Sequence, residues 1–473
     1  MISFGQPASF YKVFSGTGYD KAEGLTQLED SSYLITGSSS SFLDGPSQTF
    51  LLNIDKNGEY IWSNAYGGEE YEEGKRVFSI PNYGHYIIGT SNSGTSHDFD
   101  AYVVFTDPAG VQQWEQFFDY GAWERVHNAL MFPDSSIVVI GETDSTETGS
   151  TDFYMFRMKH DGTVLWTKKW GSSGNDVLKG ITSITNTSFA ICGTKYVEDS
   201  LLNKSYVGTF NLDGTTVWEK IFGEKGSSEL NDIHHYNTVL MTVGQLKDVG
   251  DENWQYHRLN VLMNGDLFTE ENFQGGGSTR FGAFIQYTST NKLFVLRQIE
   301  DPGFPTYADG EDVILSRYSS YFSWENYDRT YSNLGQDQGN QIIATKDGMA
   351  AFVGFHSYYD GGGNCLFIVK IGDDSNYPYN STSPQIYDLV SVLENKNLLE
   401  VSAFPNPFNS ELKLRLPDNC RAEVKIYNEF GQLIRSFIQE NNLISIATDD
   451  LSNGVYFLEV SSDLGNASIK VVK

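Results

Sequence analysis

The sequence predicts an all-β protein: a seven-bladed β-propeller closed by its own N-terminal strand, followed by a small Ig-like β-sandwich. Three observations predict it. An aromatic pair recurs every 52 residues, at Phe10/Phe14, Trp62/Tyr66, Trp114/Phe118, Trp166/Trp170 and Trp218/Phe222, and a fixed period of this size marks an array of one supersecondary unit. Within one period, four short runs rich in Val, Ile, Tyr and Phe alternate with Gly, Asn and Asp, as four antiparallel strands require. Finally, the chain opens on a fourth-strand segment, residues 10–14, while its last unit ends after a third strand, residues 365–371. The two ends therefore complete one blade and close the ring.

The second unit serves as the type. Its strands read as residues 74–80, 85–89, 101–106 and 111–118, with turns at Asn82-Tyr83-Gly84 and at Asp107 to Gly110. Several columns keep register. A glycine ends the second strand at Gly37, Gly89, Gly141, Gly193 and Gly244, and an aromatic marks the third at Phe50, Tyr102, Tyr154 and Tyr206. The first hairpin turn carries Asp30, Asn82, Asp134, Asn186, Asn237, Asn291 and Asp347, residues whose side chains bond the local backbone and tolerate left-handed geometry. The fourth-strand aromatic recurs at Phe14, Tyr66, Phe118, Trp170, Phe222, Phe273 and Tyr331. Each of these two columns has seven members, which sets the blade number. Trp62, Trp114, Trp166 and Trp218 share one blade position, which argues for blade-to-blade packing rather than a sugar-stacking ring. Over residues 8–374 the repeats resemble the β-propeller repeat sequences of bacterial surface proteins, with their D-G-x-x-x-W and Y-G-G signatures.

Charge narrows the function classes. The 473 residues carry 32 Lys and Arg against 61 Asp and Glu, a net charge of −29. Nucleic acid and anionic membrane surfaces both call for basic patches, so neither is an expected partner. No run of 18 apolar residues occurs, so no membrane insertion is expected. Cys192, Cys365 and Cys420 are far apart and odd in number, without the spacing of a zinc site; Cys192 reads as a small buried hydrophobe. The first residues, MISFGQPASFYKVF, lack the charged and apolar regions of a signal peptide, which is expected to have been removed or missed.

After residue 374 the pattern stops. Residues 375–399 are polar and read as a linker, and residues 400–473 as a second domain with strands at 411–416, 422–427, 432–437, 443–447, 454–460 and 467–472. Pro405-Asn406-Pro407-Phe408 comes first, then Val424 to Tyr427, Gly431-Gln432-Leu433, Gly454-Val455-Tyr456-Phe457, and a terminal IKVVK. These motifs, in this order, resemble the C-terminal sorting domain of type IX secretion, found in Bacteroidetes and related bacteria. The family often has Tyr before the first Pro; here Phe404 stands there. The resemblance implies export across the outer membrane, a location outside the cell or on its surface, and the type IX machinery as a partner.

Candidate site residues lie where inner strands begin. Asp20, Glu72, Glu124 and Asp176 recur at the 52-residue spacing and are expected to ring one mouth of the channel. They read either as oxygen ligands for a cation such as Ca2+ or as repeated caps of local backbone, the commoner use of such side chains. The loops between second and third strands vary most and are where binding specificity is expected; Trp254, Phe304, Pro305, Tyr307, Tyr358 and Tyr359 are their aromatic candidates. No nucleophile-elbow or zinc-protease motif is present, and no other cofactor is expected. His234 and His235 are adjacent in a strand and so face opposite ways. The function expected is a secreted or surface binding scaffold for an extracellular glycan or protein. The alternative is a propeller hydrolase or lyase acting on polysaccharide or peptide, since a glycosidase needs only two suitably spaced carboxylates.

Overall fold

Runs of β-branched and aromatic residues bounded by Gly, Asn and Asp become strands, and among the described residues there is no helix. The structure, a computed structural model, describes residues 9–16, 18–41, 46–94, 97–144, 149–223, 226–251, 253–273, 284–287, 292–300, 311–319, 324–331, 336–357, 363–371, 385–388, 401–405, 407–416, 421–428, 433–439, 443–449, 451–452, 454–462 and 465–473. The chain divides into two units, Met1–Leu389 and Val390–Lys473.

In the first unit, consecutive strands pair antiparallel into repeated four-stranded sheets, a propeller-like arrangement. The second sheet comprises Glu72–Ile80, Gly84–Ser91, Asp100–Thr106 and Gln112–Phe118. The other four-stranded sheets have inner strands Asp20–Gln27, Glu124–Met131, Val177–Thr185, Gly226–Tyr236 and Phe284–Tyr287. A further sheet runs Asp337–Ala344, Ala350–Ser357, Asn364–Lys370, and then the N-terminal strand Phe10–Ser15, which pairs with Phe10 opposite Lys370 and Phe14 opposite Leu366. A fifth strand, Gln385–Asp388, lies parallel to Phe10–Ser15; these residues fall in the stretch read from sequence as linker.

The recurring residues now acquire physical reasons. Five turns between third and fourth strands place a glycine at positive φ, +83° at Gly58, +78° at Gly110, +81° at Gly162, +85° at Gly214 and +84° at Gly265. Over these glycines lie Phe10, Trp62, Trp114, Trp166 and Trp218 of the neighbouring sheet. Trp166 Nε1 also donates to Leu212 O at 3.0 Å and Trp218 Nε1 to Met263 O at 2.9 Å. The tryptophan column therefore fastens sheet to sheet.

A different constraint produces the glycine column of the second strands. At Gly37, Gly89, Gly141, Gly193, Gly244 and Gly354 an added Cβ would lie 1.8–2.0 Å from the carbonyl oxygen of an inner-strand residue. Buried clusters fill the space between adjacent sheets: Tyr86, Ile88 and Val103 pack with Ile137, Val139 and Phe156, and Leu34 and Leu51 with Val77 and Ile87. Side-chain bonds link the first sheet to the last as well: Leu25 N donates to Gln341 Oε1 at 2.6 Å, Asn340 Nδ2 to Ala22 O at 2.8 Å and Lys346 N to Gln27 Oε1 at 2.8 Å. Cys192 and Cys365 are buried free thiols; Cys420 lies outside the described residues.

In the second unit, Ser402–Phe404, Glu411–Arg415 and Leu443–Ala447 form one sheet, and Leu433–Gln439, Ala422–Asn428, Val455–Ser462 and Gly465–Val472 the other. Leu412, Leu414, Ile444 and Ile446 from the first share a core with Val424, Ile426, Leu458, Val460 and Val471 from the second. The motif residues hold its ends. Phe408 is buried against Tyr456, with ring centroids 6.2 Å apart, and its amide donates to Val472 O at 2.8 Å. The Tyr456 hydroxyl donates to Ser452 O at 2.8 Å, and Gly454 exchanges backbone bonds with Lys473. Pro405 and Pro407 are exposed; Asn406 and Gly431 lie outside the described residues. Among the described residues no helix is long and apolar enough to cross a membrane.

Candidate functional site

Four inner strands open on, or just after, the acidic residues Asp20, Glu72, Glu124 and Asp176, and pairing sets three of these opposite the end of the second strand: Asp20 faces Ser39, Glu72 faces Ser91 and Glu124 faces Thr143. The carboxylate then finds two kinds of donor close by. One is the amide four residues upstream: Gly16 N to Asp20 at 2.7 Å, Gly68 N to Glu72 at 3.1 Å, and Ser172 N to Asp176. The other comes from the second strand: Ser39 and Ser41 hydroxyls to Asp20, Ser91 and Ser93 hydroxyls to Glu72, Thr143 Oγ1 to Glu124, and Tyr196 N to Asp176. Lys169 Nζ adds an ion pair to Glu124 at 2.9 Å. All four side chains are 0% exposed, and burial raises the pKa of each, with these donors pulling back. Among the described residues no hydrogen bond or ion pair joins one of the four to another; each braces its own sheet junction. Trp254 is half-buried, while Phe304, Pro305, Tyr307, Tyr358 and Tyr359 lie outside the described residues.

The last sheet carries a variation that spacing alone does not reveal. Asp337 opens its inner strand opposite His356, where three other sheets have Ser39, Ser91 and Thr143. His356 Nδ1 lies 2.7 Å from Asp337 Oδ1, and its Nε2 bonds the Tyr11 hydroxyl on the N-terminal strand. Asp337 and His356 are fully buried. This chain of side chains connects the inner strand to the N-terminal strand across the sheet.

The partly exposed charges come from a different column. Six inner strands bulge at equivalent places, between Ala22/Gly24, Gly74/Arg76, Val126/Asn128, Leu178/Gly180, Leu230/Asp232 and Gly339/Gln341. A bulge adds one unpaired residue and re-aims its side chain. Here the added residues are Glu23, Lys75, His127, Lys179, Asn231 and Asn340. Neighbouring sheets bring several of them together. Lys75 Nζ lies 3.4 Å from Glu23 and 2.8 Å from Glu73; His127 Nε2 lies 3.0 Å from Glu142; Lys179 Nζ lies 3.4 Å from Glu229 and 3.1 Å from Asn231. Burial works against the charge of Lys75, yet Glu23 and Glu73 beside it leave its pKa above the usual lysine value. Burial lowers the pKa of His127; Glu142 draws it back up, and Lys75 and Lys179 push it down. Acids and bases thus lie side by side along these inner strands, each partly open to solvent. Such a set offers donors and acceptors together, with the carboxylates of Glu23, Glu73, Glu142 and Glu229 beside the ammonium groups of Lys75 and Lys179. The 52-residue spacing of Glu23, Lys75, His127 and Lys179 was visible in the sequence; their shared direction depends on the bulge.

Residues 402–473 match the family model described as the secretion system C-terminal sorting domain. The chain therefore ends in a type IX sorting domain and is an exported protein, secreted or placed on the outer surface, that engages the type IX machinery. No curated protein matches the chain. Several solved structures are similar to it. PorZ, an essential bacterial surface component of the type IX secretion system of Porphyromonas gingivalis, is 10% identical over 100% of this chain and 60% of its own length, with a TM-score of 0.40. An ulvan lyase of a new polysaccharide lyase family is 10% identical over 76% of this chain and 94% of its own, with a TM-score of 0.48. The Neurospora crassa Pan2 WD40 domain is 12% identical over 74% of this chain and 90% of its own, with a TM-score of 0.40.

Proposed function

We propose that the chain is an exported, non-enzymatic binding protein. Residues 1–374 form a closed seven-bladed propeller whose hub takes an extracellular glycan or protein, residues 375–399 link it onward, and residues 400–473 direct export. The bonds between first and last sheets support closure, as does the pairing of Phe10–Ser15 with Asn364–Lys370. The observation that carries the binding reading is the bulge column, because it brings paired charges of both signs to one partly exposed face. Hydroxyl-rich ligands suit such pairs, each hydroxyl donating to an acid and accepting from a base.

The test is a glycan array, with protein capture in parallel, on the full chain and on Lys179→Gln and Glu229→Gln. At least tenfold weaker binding with an unchanged unfolding midpoint is expected; binding indifferent to both changes would remove the hub from the proposal. A second reading, a polysaccharide hydrolase or lyase, is favoured by one observation: His127 and Glu142 form an accessible imidazole–carboxylate pair between two lysines. Polymer cleavage lost in His127→Ala would select it. For export, residues 400–473 fused to a reporter should carry it to the surface of a type IX-competent bacterium. A reporter retained in the periplasm would contradict the sorting assignment.

A further inference from the structure

The third strand of the second sheet begins at Asp100 and its fourth ends at Phe118, so Asp119 starts the crossing to the inner strand that opens on Glu124. The crossing folds back on that strand's start, and one carboxylate oxygen from each of Asp100, Asp119 and Glu124 lies within 4.8 Å of the others. Asp100 and Glu124 are 1% and 0% exposed, whereas Asp119 is exposed. Like charges this close cannot all stay ionised in a buried setting without compensation. Lys169 Nζ, 2.9 Å from Glu124 Oε1, balances one of the three.

An independent feature points into the same place. The Tyr154 side chain is fully buried, and its hydroxyl has no hydrogen-bond partner among the described residues. In the neighbouring sheets the equivalent phenols are satisfied, Tyr102 by Glu115 and Tyr206 by Glu219. At the matching position the third sheet has Thr167, too short to take that role. Lys169 ties this phenol to the cluster, since its Nζ lies 5.7 Å from the Tyr154 ring and also 2.9 Å from Glu124 Oε1, and Glu124 Oε2 is likewise buried without a hydrogen-bond partner among the described residues. A buried polar group left unpaired is costly, so an occupant that supplies both positive charge and oxygen-bound partners fits what the site lacks.

We propose that Asp100, Asp119 and Glu124 bind one divalent cation of the Ca2+ type, with the Tyr154 hydroxyl turned toward it and water reaching it past Asp119. Three carboxylates against one ammonium leave two negative charges for a divalent ion to balance. Hard cations of this kind take oxygen ligands and tolerate irregular, partly hydrated shells. Among the inner-strand acids only Glu124 takes part; Asp20, Glu72 and Asp176 keep their bracing roles. The ion ties the end of the second sheet to the start of the third.

The experiment uses the full chain, treated with EDTA, desalted, and titrated with CaCl2 by calorimetry and by thermal melting. Tb3+ luminescence excited through tyrosine serves as a proximity probe. Saturable binding is expected in the range of extracellular calcium modules, a Kd of about 10⁻⁴–10⁻³ M, with a rise in melting temperature that EDTA reverses. Asp119→Asn, which changes an exposed side chain and keeps an oxygen to accept from the Gly121 amide, should weaken binding at least tenfold, and Tyr154→Phe should reduce the Tb3+ signal. Absence of both heat and melting shift at about 10 mM Ca2+, well above that range, would overturn the proposal. So would a Ca2+ response of equal affinity in Asp119→Asn, which would place the ion elsewhere.

Discussion

Replacing Gly110 by Ala tests whether the tryptophan column is a packing element between sheets. Gly110 sits at φ +78°, and a Cβ there would lie 2.6 Å from both the Trp62 ring and Asn64 Nδ2. Two penalties apply. Left-handed backbone costs a non-glycine residue about 1–2 kcal/mol, and forcing extra atoms into a filled contact costs about 1–3 kcal/mol. Together they predict a loss of about 2–5 kcal/mol. Gly250 separates the two penalties: its φ is +96°, and a Cβ would meet nothing within 4 Å. Gly250→Ala should therefore lose only the backbone part, about 1–2 kcal/mol. Urea unfolding followed by tryptophan fluorescence reads the first unit alone, because all 8 tryptophans precede residue 390. Gly110→Ala should also cost less in a Trp62→Leu background, since contacting residues couple in a double-mutant cycle. Equal losses for the two glycines, with no coupling to Trp62, would refute a packing role for the column.

Other perturbations reach other parts of the molecule. Deleting residues 1–15 removes the buried Phe10, Val13 and Phe14, at about 1.5–3 kcal/mol each, and should lower the melting midpoint sharply; an unchanged midpoint would rule out the N-terminal strand as the closing element. Glu72 has its pKa raised above 4.5 by burial, with Ser93 and Ser91 pulling back. The folded chain then holds that proton more tightly than the unfolded chain, so its contribution is most favourable at low pH and is lost as pH rises from 4.5 through the raised value. Relative to Glu72→Gln, wild-type stability should fall across that window and run parallel above it; a difference that does not change with pH would contradict the burial argument. In the second unit, Phe408→Ala removes a ring packed on Tyr456 at about 3–5 kcal/mol, and should speed proteolysis of residues 400–473 while leaving tryptophan-detected unfolding of the first unit unchanged.

Periodicity and alternation carried the fold a long way. The D-G-x-x-x-W signature is legible because each of its parts has a single physical role. Gly takes positive φ, and the aromatic covers the glycine of the next sheet. The tail was legible for a similar reason, since Phe408, Gly454 and Tyr456 sit at its sheet ends. The site was less so, because period locates a column without saying which way it points. Asp20 and Glu23 are three residues apart; at the 52-residue spacing the first recurs as an acid, and the second is replaced by Lys75, His127 and Lys179. Simple alternation sends one inward and one outward but does not say which. Pairing of Asp20 with Ser39, next to the Gly37 that accommodates the inner-strand carbonyl, turns the acid inward to donors. The bulge then leaves Glu23 unpaired and returns Leu25 to the core. The same event, repeated at Lys75, His127 and Lys179, gives these residues their shared direction. The departures follow from single substitutions within columns: His356 in place of a hydroxyl residue extends one brace to Tyr11, and Thr167 in place of Glu leaves the Tyr154 hydroxyl without the carboxylate that Tyr102 and Tyr206 have. A repeat read by its consensus hides such positions. Chemistry particular to one sheet is to be sought where a column changes residue type.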